Sequence, residues 1–182
     1  ASKIVTYVLG NYHYEKTLLN DKLSEKILDQ YIKMLDPQRT HFLKTDIDSF
    51  SLHKHLVDDY LKKPDLDPMF NIFKTFRKRL ENRISFSLSQ LDNTFEFKSD
   101  ESLIIDRSEE NWATNVVQLN NIWRKKVKND VLSLRLAGKG PDEIKSKLQT
   151  RYKGALRRAK QLTSDDVFQT VINSFTRSVD PH

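Results

Sequence analysis

The sequence predicts an all-α fold of about seven helices, with at most a short extended segment near residues 93-98. Apolar residues recur at three- and four-residue spacing along most of the chain, which is the helical period. Only four Gly and five Pro occur in 182 residues, which leaves few breakers for a many-stranded fold. Ten Phe, six Tyr and two Trp supply the apolar bulk of a core, so the high charge content does not indicate disorder.

The first two predicted helices lie at the start of the chain. Residues 2 to 12 carry apolar side chains at helical spacing, with no cap before them, so we expect the chain to begin near or inside a helix. A second helix is predicted from Asp21 to Leu35. Its apolar face consists of Leu23, Ile27, Tyr31 and Leu35. Asp36-Pro37 ends it, because proline disfavours the helical conformation of the residue before it.

The third predicted helix begins at a candidate capping box. Thr45 is followed three residues later by Asp48, so that the hydroxyl can accept from a free backbone N–H and the carboxylate can reach back. We expect this helix to continue to about Leu61 and to be closed by Pro64.

The fourth predicted helix is the longest and opens at Asp67-Pro68, as N-cap and first helical residue. Its apolar stripe consists of Phe73, Phe76, Leu80, Ile84, Leu88 and Leu91. Residues 84 to 88 also alternate with serine as a strand would, but the four-residue register continues through them and favours helix. Thr94-Phe95-Glu96-Phe97 is predicted to be a short extended segment that leads into a long connection.

Three more helices are predicted in the C-terminal third. One runs from about Val116 to Leu136, and Gly138-Lys139-Gly140-Pro141 separates it from the next, with glycine after a helix and proline in the first turn of its successor. Ser164, followed by two acidic residues, is the predicted cap of the last helix.

Charge and composition restrict the partners without selecting one. The net charge of +6 permits nucleic acid, an anionic membrane surface or an acidic polypeptide. The basic clusters, each opposite an apolar stripe, are Arg77-Lys78-Arg79 with Arg83, Arg124-Lys125-Lys126 with Lys128, and the group from Arg151 to Lys160. The absence of cysteine excludes disulfides and thiolate metal sites within these 182 residues.

No residue pattern in the chain predicts a catalytic, cofactor or metal site. The Asp46-x-Asp48 and Asp65-x-Asp67 pairs lack the glycine and the glutamate that a calcium loop needs. On a helix His55 would share a face only with Asp59, which is too few ligands for a metal. Gly138-Lys139-Gly140 is too short for a phosphate loop. Ser85, Ser87 and Ser89 have no evident base nearby.

Several segments together resemble the N-terminal helical region of the tail-specific proteases, the periplasmic C-terminal processing peptidases of Gram-negative bacteria. The segments are Leu23-Ser24-Glu25-Lys26-Ile27 with Tyr31 and Leu35-Asp36-Pro37, Phe42-Leu43-x-x-Asp46-Ile47, Asp106-Arg107-Ser108, Trp123-x-x-Lys126-Val127-Lys128, Thr150-Arg151-Tyr152-Lys153 with Arg157-Arg158, and Asp165-Asp166-Val167-Phe168 running to Ser178-Val179-Asp180-Pro181-His182. They cover nearly the whole chain in the family's order.

The resemblance implies that residues 1-182 are an N-terminal helical accessory domain and a fragment of a longer enzyme. In that family the Asp180-Pro181-His182 element leads into a PDZ domain, then a protease core with a serine nucleophile and a lysine base. The junction residues are Asp36, Pro37, Asp180, Pro181 and His182, with structural roles. No catalytic residue falls in this chain, and the parent would need no metal or nucleotide.

The resemblance also implies partners and a location. The parent would cut proteins with apolar C-terminal tails in the periplasm, with association with the inner membrane as a further expectation. Its N-terminal domain would contact the PDZ and protease domains and offer surface to an adaptor protein. Phe95, Phe97 and Trp112 are the candidate docking surface, with core burial as the alternative for each.

Two other hypotheses remain. One is a freestanding basic helical module that binds nucleic acid or anionic surfaces, although no helix-turn-helix spacing or aromatic stacking motif supports it and nucleic acid is not the expected partner. The other is a self-contained hydrolase, for which the chain offers no constellation of residues.

Overall fold

The computed structural model describes residues 20–62, 65–98 and 100–179. Within these ranges the chain forms seven α-helices and no β-strand, which confirms the all-α prediction. The helices are α1 Asp21–Leu35, α2 Lys44–Phe50, α3 Val57–Lys62, α4 Asp67–Gln90, α5 Val116–Leu136, α6 Pro141–Lys160 and α7 Ser164–Val179. The helix predicted over residues 2 to 12 and the Asp180-Pro181-His182 element lie outside the described residues.

The chain divides into two compact units. The first takes its described residues from Ala1–Pro37, Asp46–Thr75 and Thr163–His182, and the second from Gln38–Thr45 and Phe76–Leu162. The boundary between Thr75 and Phe76 falls within α4.

In the first unit, α1 packs against α7 and α3. The helix begins where the Asn20 side chain accepts a hydrogen bond from the Leu23 N–H at 3.0 Å, and it ends at Asp36. All four residues of its predicted face are buried: Leu23, Ile27, Tyr31 and Leu35. The facing side of α7 buries Val167, Val171 and Phe175. Helical periodicity alone was therefore sufficient to predict the buried face of α1.

Polar groups buried in the first unit bind one another. The Tyr31 hydroxyl donates to the Met69 carbonyl oxygen at 3.0 Å, and burial raises the pKa of this phenol. Ser24 Oγ donates to Asp58 Oδ1 at 2.7 Å and accepts from the Asp58 N–H at 2.8 Å. Because Asp58 lies in the first turn of α3, a serine of α1 satisfies one of the backbone donors at the start of that helix.

The single helix predicted from Thr45 to about Leu61 is wrong. The chain forms α2, a 3-10 turn at Ser51–His53, and α3, with α2 beginning one residue before the predicted cap. A continuous helix would need to bury its apolar face, but Leu52 is 76% exposed. The break instead lets α3 start at Val57, which is fully buried.

The last helix is capped one residue earlier than predicted. Asp166 accepts from both the N–H and the hydroxyl of Thr163, at 2.7 and 2.9 Å, so Thr163 and not Ser164 forms the cap. These bonds lower the pKa of the Asp166 carboxyl.

In the second unit, the end of α4 packs with α5 and α6. One cluster buries Leu91, Val127, Ile144 and Leu148. The α4 helix continues to Gln90, so the strand alternative over residues 84 to 88 is excluded. Gly138 has a φ of +77°, which L side chains rarely adopt, and Gly140-Pro141 begins α6. The predicted helix boundary here is confirmed.

Candidate docking surface

The described residues contain no constellation for metal chemistry. No group of three or more His, Asp or Glu among residues 20–62, 65–98 and 100–179 could hold a metal ion. Two of the serines considered as nucleophiles bond to helical carbonyl groups: Ser87 Oγ donates to the Arg83 oxygen at 2.9 Å and Ser89 Oγ to the Phe86 oxygen at 2.7 Å. In this part of the chain, no helix has the length and apolar character needed to cross a bilayer.

The junction residues that can be described lie at the end of α1. Asp36 is buried, and its N–H donates to the Ile32 oxygen at 2.9 Å. Pro37 follows and is exposed. The other three junction residues, Asp180, Pro181 and His182, lie outside the described residues.

Phe95 and Phe97 both lie in the irregular segment that follows α4. Phe95 is half-buried and packs against the cluster formed by Leu91, Val127 and its neighbours. Phe97 is also half-buried and lies beneath two cations: Lys128 Nζ is 5.8 Å and Arg135 Cζ is 5.3 Å from the ring centre. The described residues of the segment form no β-pairing. Phe95 therefore anchors the segment, and Phe97 forms its outer part.

Beside these two rings lies a cavity of about 540 Å³, here called the Phe95–Phe97 groove. Its apolar lining consists of Leu91, Phe95, Phe97, Val131, Pro141 and Ile144. A second concavity of about 490 Å³ shares Phe95, Phe97 and Arg135, and it includes Leu136, which is 80% exposed. Concave, mostly apolar surfaces of this size are typical binding sites.

Cations surround the groove, and they differ in how they are paired. Lys139 binds Glu143 at 3.1 Å and Lys145 binds Asp92 at 2.8 Å. Arg135 contacts the Phe97 ring and forms no ion pair with a described carboxylate. A partner that places apolar side chains in the groove and a carboxylate at Arg135 would match this surface.

Trp112 lies at a different place in the second unit. Its ring meets Phe42 edge-on at 6.1 Å, and the Arg39 guanidinium lies 5.7 Å from the ring centre. It does not line the Phe95–Phe97 groove. The three predicted docking residues thus belong to two separate surfaces.

Around Trp112, the residues after α1 are held against the long connection. Gln38 Oε1 accepts from the Arg107 N–H at 2.8 Å, and Arg39 Nη1 donates to the Glu110 oxygen at 2.6 Å. The Lys44 N–H donates to the Ala113 oxygen at 2.9 Å. Trp123 Nε1 of α5 adds a bond to the Thr40 oxygen at 2.6 Å. We name this set of contacts the Gln38–Trp123 lock.

The chain matches a known family over almost its whole length. Residues 5–182 match the sequence profile of the tail specific protease N-terminal domain. The chain belongs to this family. A protein named Tail-specific protease from Haemophilus influenzae is 38% identical over 183 residues, covering 100% of this chain and 26% of that protein. The N-terminal domain described here therefore spans about a quarter of the length of this relative.

Three of the segments by which this N-terminal domain resembles tail-specific proteases meet at the Gln38–Trp123 lock. Phe42-Leu43, Asp106-Arg107-Ser108 and Trp123 are far apart in sequence, yet all three contribute to the lock or pack beside it. Arg39 has a φ of +50°, which costs a non-glycine residue about 1–2 kcal/mol. Sequence periodicity gave no signal for this strained turn.

A second contact set that sequence reasoning missed fixes the start of the long connection onto α5. The Glu101 carboxylate binds Arg124, and it binds Lys128 Nζ at 2.8 Å. These bonds lower the pKa of Glu101 to about 2, with Arg124 the larger cause. Lys125 Nζ donates to the Ser102 oxygen at 2.9 Å. Three cations of a predicted basic cluster thus bind the protein's own connection.

Proposed function

We propose that residues 1-182 are the non-catalytic N-terminal domain of a periplasmic serine endopeptidase that processes or degrades proteins from apolar C-terminal tails. The observation that carries this proposal is the match with a protein named Tail-specific protease, which covers all of this chain and only 26% of the relative. The catalytic serine and lysine, and the PDZ domain that receives the tail, belong in the part of the enzyme beyond this domain. Neither a metal nor a nucleotide takes part.

The domain contributes surface to the enzyme. The Phe95–Phe97 groove packs against the PDZ or protease part and helps to frame the chamber in which substrates are held. Its apolar lining and the exposed Leu136 support this role, because proteins seldom leave contiguous apolar surface in water without a partner. A surface of this kind also suits an adaptor protein. The enzyme works in the periplasm, in association with the inner membrane.

The test of the proposed function is the coding sequence beyond the codon for His182. We expect it to continue into a PDZ-like segment, followed by a protease domain with separated serine and lysine residues. A stop codon close after His182 would overturn the proposal, and capture of a partner by the domain alone would then become the leading question.

The role of the groove has its own test in the complete enzyme. Replacing Phe97 with Ala should increase the rate of hydrogen exchange at the parts of the PDZ or protease domains that contact the groove. The matched control is Phe76→Ala, also half-buried in the second unit but absent from the groove lining. Equal effects of the two variants would argue against docking at the groove.

A further inference from the structure

Arg83 of α4 is a buried cation. Its side chain and backbone together are only 8% exposed. Nη1 donates to Asn120 Oδ1 of α5, and the guanidinium lies 5.3 Å from the centre of the Phe86 ring. Nε is buried and has no hydrogen-bond partner. A guanidinium has five N–H donors. Among the described residues, the only hydrogen-bond acceptor of the Arg83 group is the neutral side-chain amide of Asn120.

The surroundings of Arg83 oppose its charge. Burial, and to a smaller degree the neighbouring Arg79, lowers the pKa of the Arg83 guanidinium, and no carboxylate raises it. Buried charges in proteins are normally paired, because removing an ion from water costs several kcal/mol that an opposite charge must offset. In the part of the chain that the structure describes, Arg83 has no such offset.

Another arginine of the same helix shows the usual arrangement. Arg77 has a side chain that is 45% exposed and binds Glu81, one turn later, at 3.7 Å. The exposed arginine is therefore paired, although water could solvate it, while the buried arginine is without an acid. This is the reverse of what the stability of an isolated domain favours.

We infer that Arg83 binds a carboxylate of an Asp or Glu side chain supplied by the part of the parent enzyme beyond these 182 residues. Nη2 is the arm of the guanidinium fork left for a carboxylate from outside, because Asn120 occupies Nη1 and Nε is sealed within the domain. This inference rests on the proposed function. We place the acid in the rest of the parent enzyme because the match covers only 26% of the relative, so that about three-quarters of the relative's chain lies outside it.

Arg83→Met tests the inference, because it keeps much of the side-chain volume and removes the charge. Hydrogen exchange of the amides of α4 near residue 83 is measured in the 182-residue chain and in the complete enzyme. In the short chain we expect exchange to be unchanged or slower, since an unpaired charge is lost. In the complete enzyme it should accelerate at least about tenfold, because the partner acid is left buried and alone.

Two further variants separate the explanations. Arg77→Met, which removes the exposed paired arginine of the same helix, should change exchange by less than about threefold in both proteins. Arg83→Lys keeps the charge and loses the fork, so its effect in the complete enzyme should be smaller than that of Arg83→Met. Acceleration by Arg83→Met to the same extent in both proteins, or failure of the short variant to fold, would show that Arg83 is satisfied within the domain and would overturn the inference.

If Arg83→Met does not accelerate hydrogen exchange in the complete enzyme, the inference about Arg83 is overturned as well. The proposed function would survive either result, because it depends on the coding sequence continuing past His182. A coding sequence that stops there would instead remove the proposed function, whatever Arg83 does.

Discussion

The two units of this domain differ in how their buried polar groups are partnered. In the first, built on α1, α3 and α7, Ser24 binds Asp58 and Tyr31 binds Met69, so the buried polar groups named here have partners within the unit. In the second, Arg83 is buried with no carboxylate partner among the described residues, and the Phe95–Phe97 groove is open. We propose from this contrast that the first unit serves mainly the stability of the domain, and that the second presents surface to other parts of the protein.

The largest effect is expected in the core of the first unit. Ile27→Ala should lower the free energy of unfolding by about 2–5 kcal/mol, because Ile27 is completely buried between helices and its removal leaves a cavity. Urea unfolding followed by circular dichroism measures this change. The control is Leu52→Ala in the same unit, where the exposed side chain should contribute no more than about 0.5 kcal/mol. Similar losses in both variants would contradict the assigned core.

A smaller loss is expected at the buried polar pair of the first unit. Ser24→Ala leaves the Asp58 carboxylate and the Asp58 N–H without their shared partner, at a cost of about 1–3 kcal/mol. Ser51→Ala is the matched control, since Ser51 Oγ is exposed and donates only to the Ile47 oxygen of its own turn. If urea unfolding shows no difference between the two variants, the first unit does not depend on this internal pairing.

Sequence periodicity predicted most of the described helices, with the exception of the split between α2 and α3, but not the contacts between the helices and the connections. The faces of α1 and α7 follow from a four-residue repeat, because each of those residues has only to be apolar and in register. The start of α3 is bound by Ser24, which is 34 residues before Asp58 in the sequence. The same limit applies to the lock at Arg39 and Trp123 and to Arg83, whose place in the interior no local pattern reveals.

The docking role of Phe95, Phe97 and Trp112 stays a prediction, and the structure divides these residues between two places. Phe95 and Phe97 were candidates because aromatic side chains are unusual in a polar connection. In the structure both line one groove. Trp112 carried the same signal but belongs to the lock. Distinguishing the two required knowledge of which helix each connection crosses, and this is a tertiary property. Whether the groove binds the rest of the enzyme remains a prediction.

In the second unit, the attachment of the connection to α5 should depend on pH. The pKa of Glu101 is about 2 in the folded chain against an ordinary value of 4.5, so the unfolded chain takes up the proton first as the pH falls. The stabilisation is therefore fully present above pH 4.5 and is lost progressively between pH 4.5 and 2. Glu101→Gln should lower stability by about 0.2–1 kcal/mol at pH 7, and the difference from the unmodified chain should disappear as the pH falls below the folded-state pKa of about 2.

The control for this prediction is Glu109→Gln. Its carboxylate is almost fully exposed and lies 3.9 Å from Arg39, at the limit of an ion pair. Urea unfolding at pH 7 should distinguish the two variants. A Glu101→Gln difference of full size that persists well below pH 2 would mean that the loss comes from packing of the side chain and not from its charge.

The smallest effect on stability is expected at the groove, and it is the one that separates the two units most clearly. Leu136→Ser should change the free energy of unfolding of the 182-residue chain by less than about 0.5 kcal/mol, because the side chain is already largely in water. In the complete enzyme, the same change should increase hydrogen exchange where the PDZ or protease part covers this surface. Leu56→Ser, an exposed leucine of the first unit, should leave that exchange unchanged. If Leu136→Ser and Leu56→Ser behave alike in the complete enzyme, the groove has no privileged role, and docking must be sought on the first unit.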